Sequence, residues 1–232
     1  PKSNLVKIKN DLIEAFIKSN NLTALKILFF LAYDCEKNPD YLMKITLDTK
    51  ELCTYCNVNL DTLKKNIRRM TETSISWKDE KAEHFVSVIP RAKFGYNGKL
   101  EIEIYEDIMD MIVGVKGKYT IVNAEQLMLM KSKHSARMLL ILEMINGFDS
   151  HIPKLKKYEL DELNLLFGTN YKRFGQFEQE VLKKAKEDLD NNSKKSFIYD
   201  TNYDKDSVSV GRAKAVGVTI HLVDNNPHPT LF

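Results

Sequence analysis

Two stripes of side chains run through residues 171–185 at the spacing of an α-helix. Apolar residues form the first stripe and predict a buried face: Phe174, Phe177, Val181 and Ala185. Lysine and glutamine form the second stripe, at intervals of four, three and four residues: Lys172, Gln176, Gln179 and Lys183. Lysine binds phosphates or guanine edges, and glutamine pairs with adenine through two hydrogen bonds. Such a helix suits the DNA major groove, although an ordinary solvated amphipathic helix has the same spacing.

The segments around this run predict a helix-turn-helix followed by a β-hairpin. Residues 159–167 predict a short helix that ends at Gly168, and Asn170 is placed to cap the next helix. Further along the chain, residues 197–199 and the alternating run 216–223 predict two strands. A helix-turn-helix with a hairpin behind it is a winged helix.

The same order of elements occurs about 110 residues earlier in the chain. Residues 48–56 predict a short helix, residues 57–59 predict a turn, and an apolar stripe predicts the next helix: Leu60, Leu63, Ile67 and Met70. Strand-like runs follow at 74–77 and 85–89, and Asn97-Gly98 is a strong signal for a tight hairpin. The sequence therefore predicts an α+β fold of two tandem winged-helix domains.

The predicted domains divide the chain at residue 118. Residues 1–118 form the first domain, to which we assign contacts with the DNA backbone. Residues 119–223 form the second domain, which we expect to read most of the bases, and residues 224–232 form a C-terminal tail. This division of labour follows from the two helices, because only the second one mixes cations with amide side chains on its exposed stripe.

The side chains predicted to contact DNA lie on both helices and both hairpins. In the second domain they are Lys172, Arg173, Gln176, Gln179, Lys183, Arg212 and Lys214, and in the first domain they are Lys65, Arg68, Arg69, Arg91 and Lys93. The whole chain has 35 basic and 32 acidic residues, a net charge of only +3. Residues 60–69 and 171–186 each carry +3 by themselves, and such local charge sets the electrostatic footprint of a DNA-binding protein.

A resemblance to a known family covers residues 3–223. The stretch 129–139, Leu-Met-Lys-Ser-Lys-His-Ser-Ala-Arg-Met-Leu, resembles a segment of the iteron-binding plasmid replication initiator proteins of the Rep_3 group. Residues 171–185 resemble that family's second recognition helix, and Asn4-Leu5 and residues 22–28 resemble its two opening helices. Leu139 stands where the family has tyrosine, and residues 178–180, Glu-Gln-Glu, stand where relatives are often basic.

This resemblance implies an initiator without catalytic activity that binds repeated elements, called iterons, at a plasmid origin. It implies that monomers act at the origin, and that dimers joined through the first domain repress the protein's own promoter at an inverted repeat. It also implies a cytoplasmic bacterial protein whose partners are double-stranded DNA, a second copy of itself, and host proteins such as a helicase loader or the sliding clamp. Because residues 178–180 depart from the family's pattern, we expect this protein to recognise a different DNA sequence from those that its relatives recognise.

The cysteines and the hydropathy of the chain favour a reducing compartment. Cys35, Cys53 and Cys56 fit neither a disulfide framework nor a zinc site, since Cys53 and Cys56 have no second pair and no histidine at ligand spacing. They are interpreted as small apolar residues in a cytoplasmic protein. No signal peptide and no apolar run of membrane-spanning length are found in the sequence.

Enzymatic functions are disfavoured by the motifs that the sequence lacks. There is no phosphate-binding Gly-x-x-x-x-Gly-Lys-Ser/Thr loop, and no His-apolar-His motif of the kind that metal-dependent rolling-circle nickases need. We therefore predict no cofactor, no metal and no catalytic residue. A tandem winged-helix transcription regulator remains the main alternative, and a rolling-circle initiator is a weaker one.

The C-terminal tail offers one further hypothesis. Pro227 and Pro229 oppose extension of the last strand, which favours a disordered end. Leu231-Phe232 also resembles short motifs that dock onto the replicative sliding clamp, although the usual glutamine is absent.

Overall fold

The computed structural model describes residues 5–18, 21–37, 43–72, 74–78, 81–113, 115, 117, 119–204 and 213–225. It divides into two compact units, residues 1–128 and 129–232. This division lies ten residues beyond the predicted boundary at residue 118, because strand Tyr119–Asn123 pairs with strand Leu5–Lys9 of the first unit.

The first unit alternates helices with short antiparallel strands. Its elements are β1 Leu5–Lys9, α1 Asn10–Lys18, α2 Leu22–Lys37, β2 Lys44–Asp48, α3 Thr49–Cys56, α4 Leu60–Glu72, β3 Ser74–Lys78, β4 Glu83–Ser87, β5 Arg91–Phe94, β6 Lys99–Glu103, α5 Glu106–Ile112, β7 Tyr119–Asn123 and α6 Ala124–Leu129. The strands pair as β2–β6–β5, β1–β7 and β3–β4. The tight hairpin predicted at Asn97-Gly98 is confirmed, since Gly98 has φ +75° between β5 and β6.

The start of the chain differs from the expectation of two opening helices. Leu5 begins a strand, and the helix begins only at Asn10. The alternation of buried Val6 and Ile8 with outward-facing neighbours is the period-two pattern of a strand packed on one face. The second expected helix is confirmed as α2, whose segment 24–32 is buried on all sides and forms the centre of the first core.

The second unit has one three-stranded sheet against its helices. Its elements are α7 Lys133–Asn146, β8 Leu155–Glu159, α8 Leu160–Phe167, α9 Phe174–Phe177, a π-helical turn Glu178–Leu182, α10 Lys183–Asn192, β9 Lys195–Tyr203 and β10 Ala215–Asp224. The strand order is β8–β10–β9, with both pairings antiparallel. Glycine is required at 217 because a Cβ there would lie 2.2 Å from the Tyr158 carbonyl oxygen of β8.

The second unit extends past residue 223, the predicted end of its fold. Asp224 pairs with Lys195 across β9 and β10. The side-chain amide of Asn225 then donates hydrogen bonds to the carbonyl oxygens of Asp190 and Ser193, at 2.8 and 2.9 Å, at the end of α10. Residues 226–232, with the hypothesised Leu231-Phe232 motif, lie outside the described residues.

The three cysteines are free thiols. Burial raises the pKa of Cys35 and Cys56 to about 12, so both are neutral at physiological pH and behave as small apolar side chains. No helix in the described part of the chain has both the length and the apolar character needed to cross a membrane.

Candidate nucleic-acid interface

The second helix-turn-helix is organised by Asn164. The predicted end of α8 at Gly168 is confirmed, with φ 58° at that glycine. In the turn that follows, the Asn164 side chain accepts hydrogen bonds from the Tyr171 backbone N–H and the Thr169 hydroxyl, at 2.9 and 2.8 Å, and donates to the Tyr171 carbonyl oxygen at 2.9 Å. One amide therefore satisfies three polar groups of the turn and holds its path.

The predicted capping role of Asn170 is wrong. The next helix begins at Phe174, and Arg173 is its N-cap residue without a side-chain hydrogen bond. Asn170 instead accepts a hydrogen bond from the ammonium group of Lys172, at 3.1 Å. Lys172 and Arg173 are exposed, but they belong to the turn before the helix and not to the helix face on which they were predicted.

We call residues 174–192, which run without a break from α9 through the π turn to α10, the second recognition helix. Its buried face contains the predicted apolar residues together with Leu182 and Leu189: Phe174, Phe177, Val181, Leu182, Ala185 and Leu189. Phe177 and Leu182 are five residues apart, which is the spacing of a π turn. With this π turn in the helix, Val181 and Leu182, which are adjacent in sequence, are both buried.

The outward face of this helix carries the polar groups that suit base recognition. Gln176, Gln179 and Lys183 are exposed, and their side chains make no hydrogen bond within the described residues. Gln176 and Gln179 lie in the first turns of the helix, where they are available to pair with adenine. The π turn Glu178–Leu182 contains Gln179 and ends directly before Lys183.

Two carboxylates of the same helix are each held by a partner. Glu178 accepts a hydrogen bond of 2.9 Å from the hydroxyl of Tyr199 on β9. Glu180 forms an ion pair of 2.5 Å with Lys184, one turn further along. Sequence patterns do not predict the contact between Glu178 and Tyr199, because the two residues lie on different elements.

Arg137 is a further residue of this unit whose role the sequence did not reveal. It lies on α7 with 2% of its surface exposed, and its guanidinium group donates a hydrogen bond to the carbonyl oxygen of Phe167, the last residue of α8. Burial lowers the pKa of Arg137 to about 10, so the group stays charged at neutral pH. The contact satisfies a buried carbonyl at a helix end and joins α7 to the helix-turn-helix.

The second wing is the β9–β10 hairpin. Lys214, which directly precedes β10 at the loop end of the hairpin, is exposed, and its carbonyl oxygen accepts a hydrogen bond from the Asp204 backbone N–H at 2.9 Å. Arg212, also predicted to contact DNA, lies outside the described residues.

The first helix-turn-helix is capped by side chains of its own segment. Asp48 caps α3 through hydrogen bonds of 2.9 and 3.1 Å from the backbone N–H groups of Lys50 and Glu51, and Asn57 ends the helix in the left-handed conformation with φ 54°. In the turn, Asn59 accepts a hydrogen bond from the Thr62 N–H at 2.8 Å, which caps the first recognition helix, α4.

The side chains of α4 that were predicted to contact DNA are all cations. Lys65, Arg68 and Arg69 are exposed, and Arg68 lies 3.5 Å from the carboxylate of Glu72. The predicted burial of Leu60 is wrong, because this first residue of the helix is 42% exposed, whereas Leu63, Ile67 and Met70 are buried as predicted. Asn66, the amide within α4, is buried and bonded to Asn21, so it does not reach the surface stripe.

The predicted DNA-binding cations of the first wing, the β5–β6 hairpin, form ion pairs with carboxylates of the same hairpin. Arg91 and Lys93 on β5 lie 3.2 and 3.5 Å from the carboxylates of Glu103 and Glu101 on the neighbouring strand β6. These are exposed pairs, each worth a fraction of a kcal/mol to about 1 kcal/mol, so a phosphate can displace the carboxylates. The two predicted contacts therefore compete with acidic neighbours that the linear charge count did not reveal.

Two helix-turn-helix motifs, each followed by a β-hairpin, define a tandem winged-helix protein, and this confirms the predicted fold class. Residues 5–143 match the family model described as initiator replication protein, WH1, and residues 159–220 match the model described as initiator Rep protein, WH2. The chain belongs to this family of replication initiator proteins. The resemblance inferred from the sequence is thereby confirmed.

Solved structures share the fold at low sequence identity. The structure of Pi initiator protein in complex with iteron DNA is 14% identical and has a TM-score of 0.77, with 97% of this chain and 99% of that chain covered. The structure of domains 2 and 3 of RctB is 12% identical with a TM-score of 0.50, covering 92% of this chain and 81% of that chain. Comparison with curated proteins finds no match.

Proposed function

We propose that this protein initiates plasmid replication by binding iteron repeats at the origin, and that it catalyses no reaction itself. The observation that carries the proposal is the exposed Gln176 and Gln179 on a recognition helix, in a chain of the replication initiator family. The fold of a relative that is bound to iteron DNA supports it.

Each winged-helix unit contributes in a different way. The second recognition helix enters a major groove and reads bases through its two glutamines. The first recognition helix, α4, enters a successive groove and binds chiefly phosphates through its cations. Binding strains adjacent DNA, and host proteins supply ATP-driven unwinding. Dimer formation, repression of the protein's own promoter and recruitment of a helicase loader or clamp remain predictions.

Titration of an origin fragment tests the proposal. Fluorescence anisotropy would measure affinity for a duplex with one repeat from beside the gene and for the same duplex with the repeat scrambled. We expect at least about 1,000-fold tighter binding to the repeat at physiological salt. Equal affinity for both duplexes would contradict specific binding, and exclusive binding to an inverted repeat would favour the transcription regulator.

The first recognition helix should determine the salt dependence of binding. We expect Lys65→Ala and Arg69→Ala to weaken binding to repeat and scrambled duplexes about equally, because phosphate contacts carry no sequence information. Each substitution should lower the slope of log affinity against log salt by about 1. The measurement is a salt series for each variant on both duplexes.

The matched control for this prediction is Lys78→Ala on β3, which removes the same charge from a lysine paired with Glu83. We expect the slope of this variant to match that of the unmodified protein. A loss of specificity in Lys65→Ala or Arg69→Ala would show that α4 reads bases.

A further inference from the structure

The second recognition helix carries an acidic residue, Glu178, close in sequence to the two glutamines proposed to read bases. Glu178 lies between Gln176 and Gln179 in sequence and is half-buried at the start of the π turn. A free carboxylate at this point would repel the phosphates and the acceptor atoms of guanine that surround a helix in the major groove. A helix that binds DNA here must therefore control where that charge lies.

Tyr199 on the wing strand β9 holds the Glu178 carboxylate in place. The hydroxyl of Tyr199 on β9 donates a hydrogen bond of 2.9 Å to a carboxylate oxygen of Glu178. The contact joins the π turn to the sheet, and both side chains are half-buried. Burial, together with the hydrogen bond to Glu178 and its charge, raises the pKa of Tyr199 to about 12, so the phenol remains a donor throughout the physiological range.

This pairing differs from that of the neighbouring acidic residue. Glu180 is compensated by the cation of Lys184, with both side chains more than half exposed, so salt screens that pair. The Tyr199 hydroxyl is neutral and leaves the charge of Glu178 in place. Its effect on Glu178 is consequently one of position, since it fixes the side-chain rotamer and with it the location of the negative charge.

We propose that Tyr199 is a positioning residue for DNA recognition, which holds the Glu178 carboxylate against the wing strand and away from the bases and phosphates. Gln176 and Gln179 then read bases without a competing charge beside them. The inference rests on the proposed function and deepens it, because it names a residue outside the recognition helix that sets how tightly this helix binds its site.

A double-mutant cycle tests the proposal. The proteins are the unmodified chain, Tyr199→Phe, Glu178→Gln and the double variant, each titrated with the repeat duplex at low and high salt. We expect Tyr199→Phe to weaken binding about threefold or more at low salt and less at high salt, because it releases a charge that salt screens. Glu178→Gln should bind more tightly than the unmodified protein, and in that background Tyr199→Phe should have no further effect.

Tyr203→Phe is the matched control. It removes the same hydroxyl from the same strand, but the Tyr203 side chain is exposed and its hydroxyl makes no hydrogen bond within the described residues. Its affinity should equal that of the unmodified chain. If Tyr199→Phe still weakens binding when residue 178 is glutamine, Tyr199 acts through packing and the proposal is overturned. It is likewise overturned if Tyr199→Phe has no effect in the unmodified background.

A measurement without DNA separates this inference from the proposed function. The ionisation of Tyr199 can be followed by NMR or by ultraviolet absorbance, with Tyr199→Phe identifying its signal. We expect Glu178→Gln to lower the pKa of Tyr199, because the substitution removes a negative charge that favours the protonated phenol. An unchanged pKa would refute the pairing itself, whereas a lowered pKa with no preference for the repeat duplex would refute the proposed function.

Discussion

Replacing Gln176 by alanine is expected to weaken binding to the cognate repeat by about 1–3 kcal/mol, or about 5- to 150-fold. Gln176 is exposed in the first turn of the second recognition helix, and its side chain makes no hydrogen bond within the described residues. Its amide is therefore available for a paired contact with an adenine edge. Affinities on the cognate repeat and on a scrambled duplex would measure the loss and its sequence dependence.

The sequence dependence of the loss decides what the residue does. A base contact exists only on the correct sequence. Gln176→Ala should therefore reduce the difference in affinity between the cognate repeat and the scrambled duplex. Lys172→Ala is the comparison, because Lys172 lies in the turn before the helix and its ammonium group bonds Asn170. We expect this lysine to affect both duplexes alike, which revises the base-reading role predicted from helical spacing. An equal loss on both duplexes from Gln176→Ala would contradict the assignment.

Arg137→Met is expected to lower the free energy of unfolding of the second unit by about 1–3 kcal/mol. The substitution keeps an unbranched side chain but removes the donor to the Phe167 carbonyl oxygen, which then lies without that partner in a buried site. The substitution also removes a buried charge that is costly to desolvate. This gain offsets part of the loss, so the expected decrease in the free energy of unfolding is moderate. Chemical denaturation followed by tyrosine fluorescence would measure the change.

Arg173→Met provides the matched control. It makes the same chemical change at an exposed residue whose side chain makes no hydrogen bond within the described residues. Its stability should remain within about 0.5 kcal/mol of the unmodified protein. Equal stability of the two variants would show that the Arg137 contact contributes nothing to the fold.

Local patterns in the sequence were sufficient to predict most helices, turns and hairpins. The buried stripe that starts at Phe174, the helix end at Gly168 and the hairpin at Asn97-Gly98 all depend on interactions within a few residues, and all are confirmed. Helical periodicity and turn preferences act at that range. The order of these elements, with the segment 129–139, was also enough to identify the family.

Features that depend on distant partners were accessible only from the tertiary structure. The pairing of β1 with β7 joins residues more than 100 positions apart and moved the domain boundary. The π turn interrupts the regular helix that the spacing predicted, and both Val181 and Leu182 are buried in it. Glu103 beside Arg91 and Glu178 beside Tyr199 are contacts between elements. Side-chain periodicity determines which face of an element is buried, but only packing decides which groups meet there.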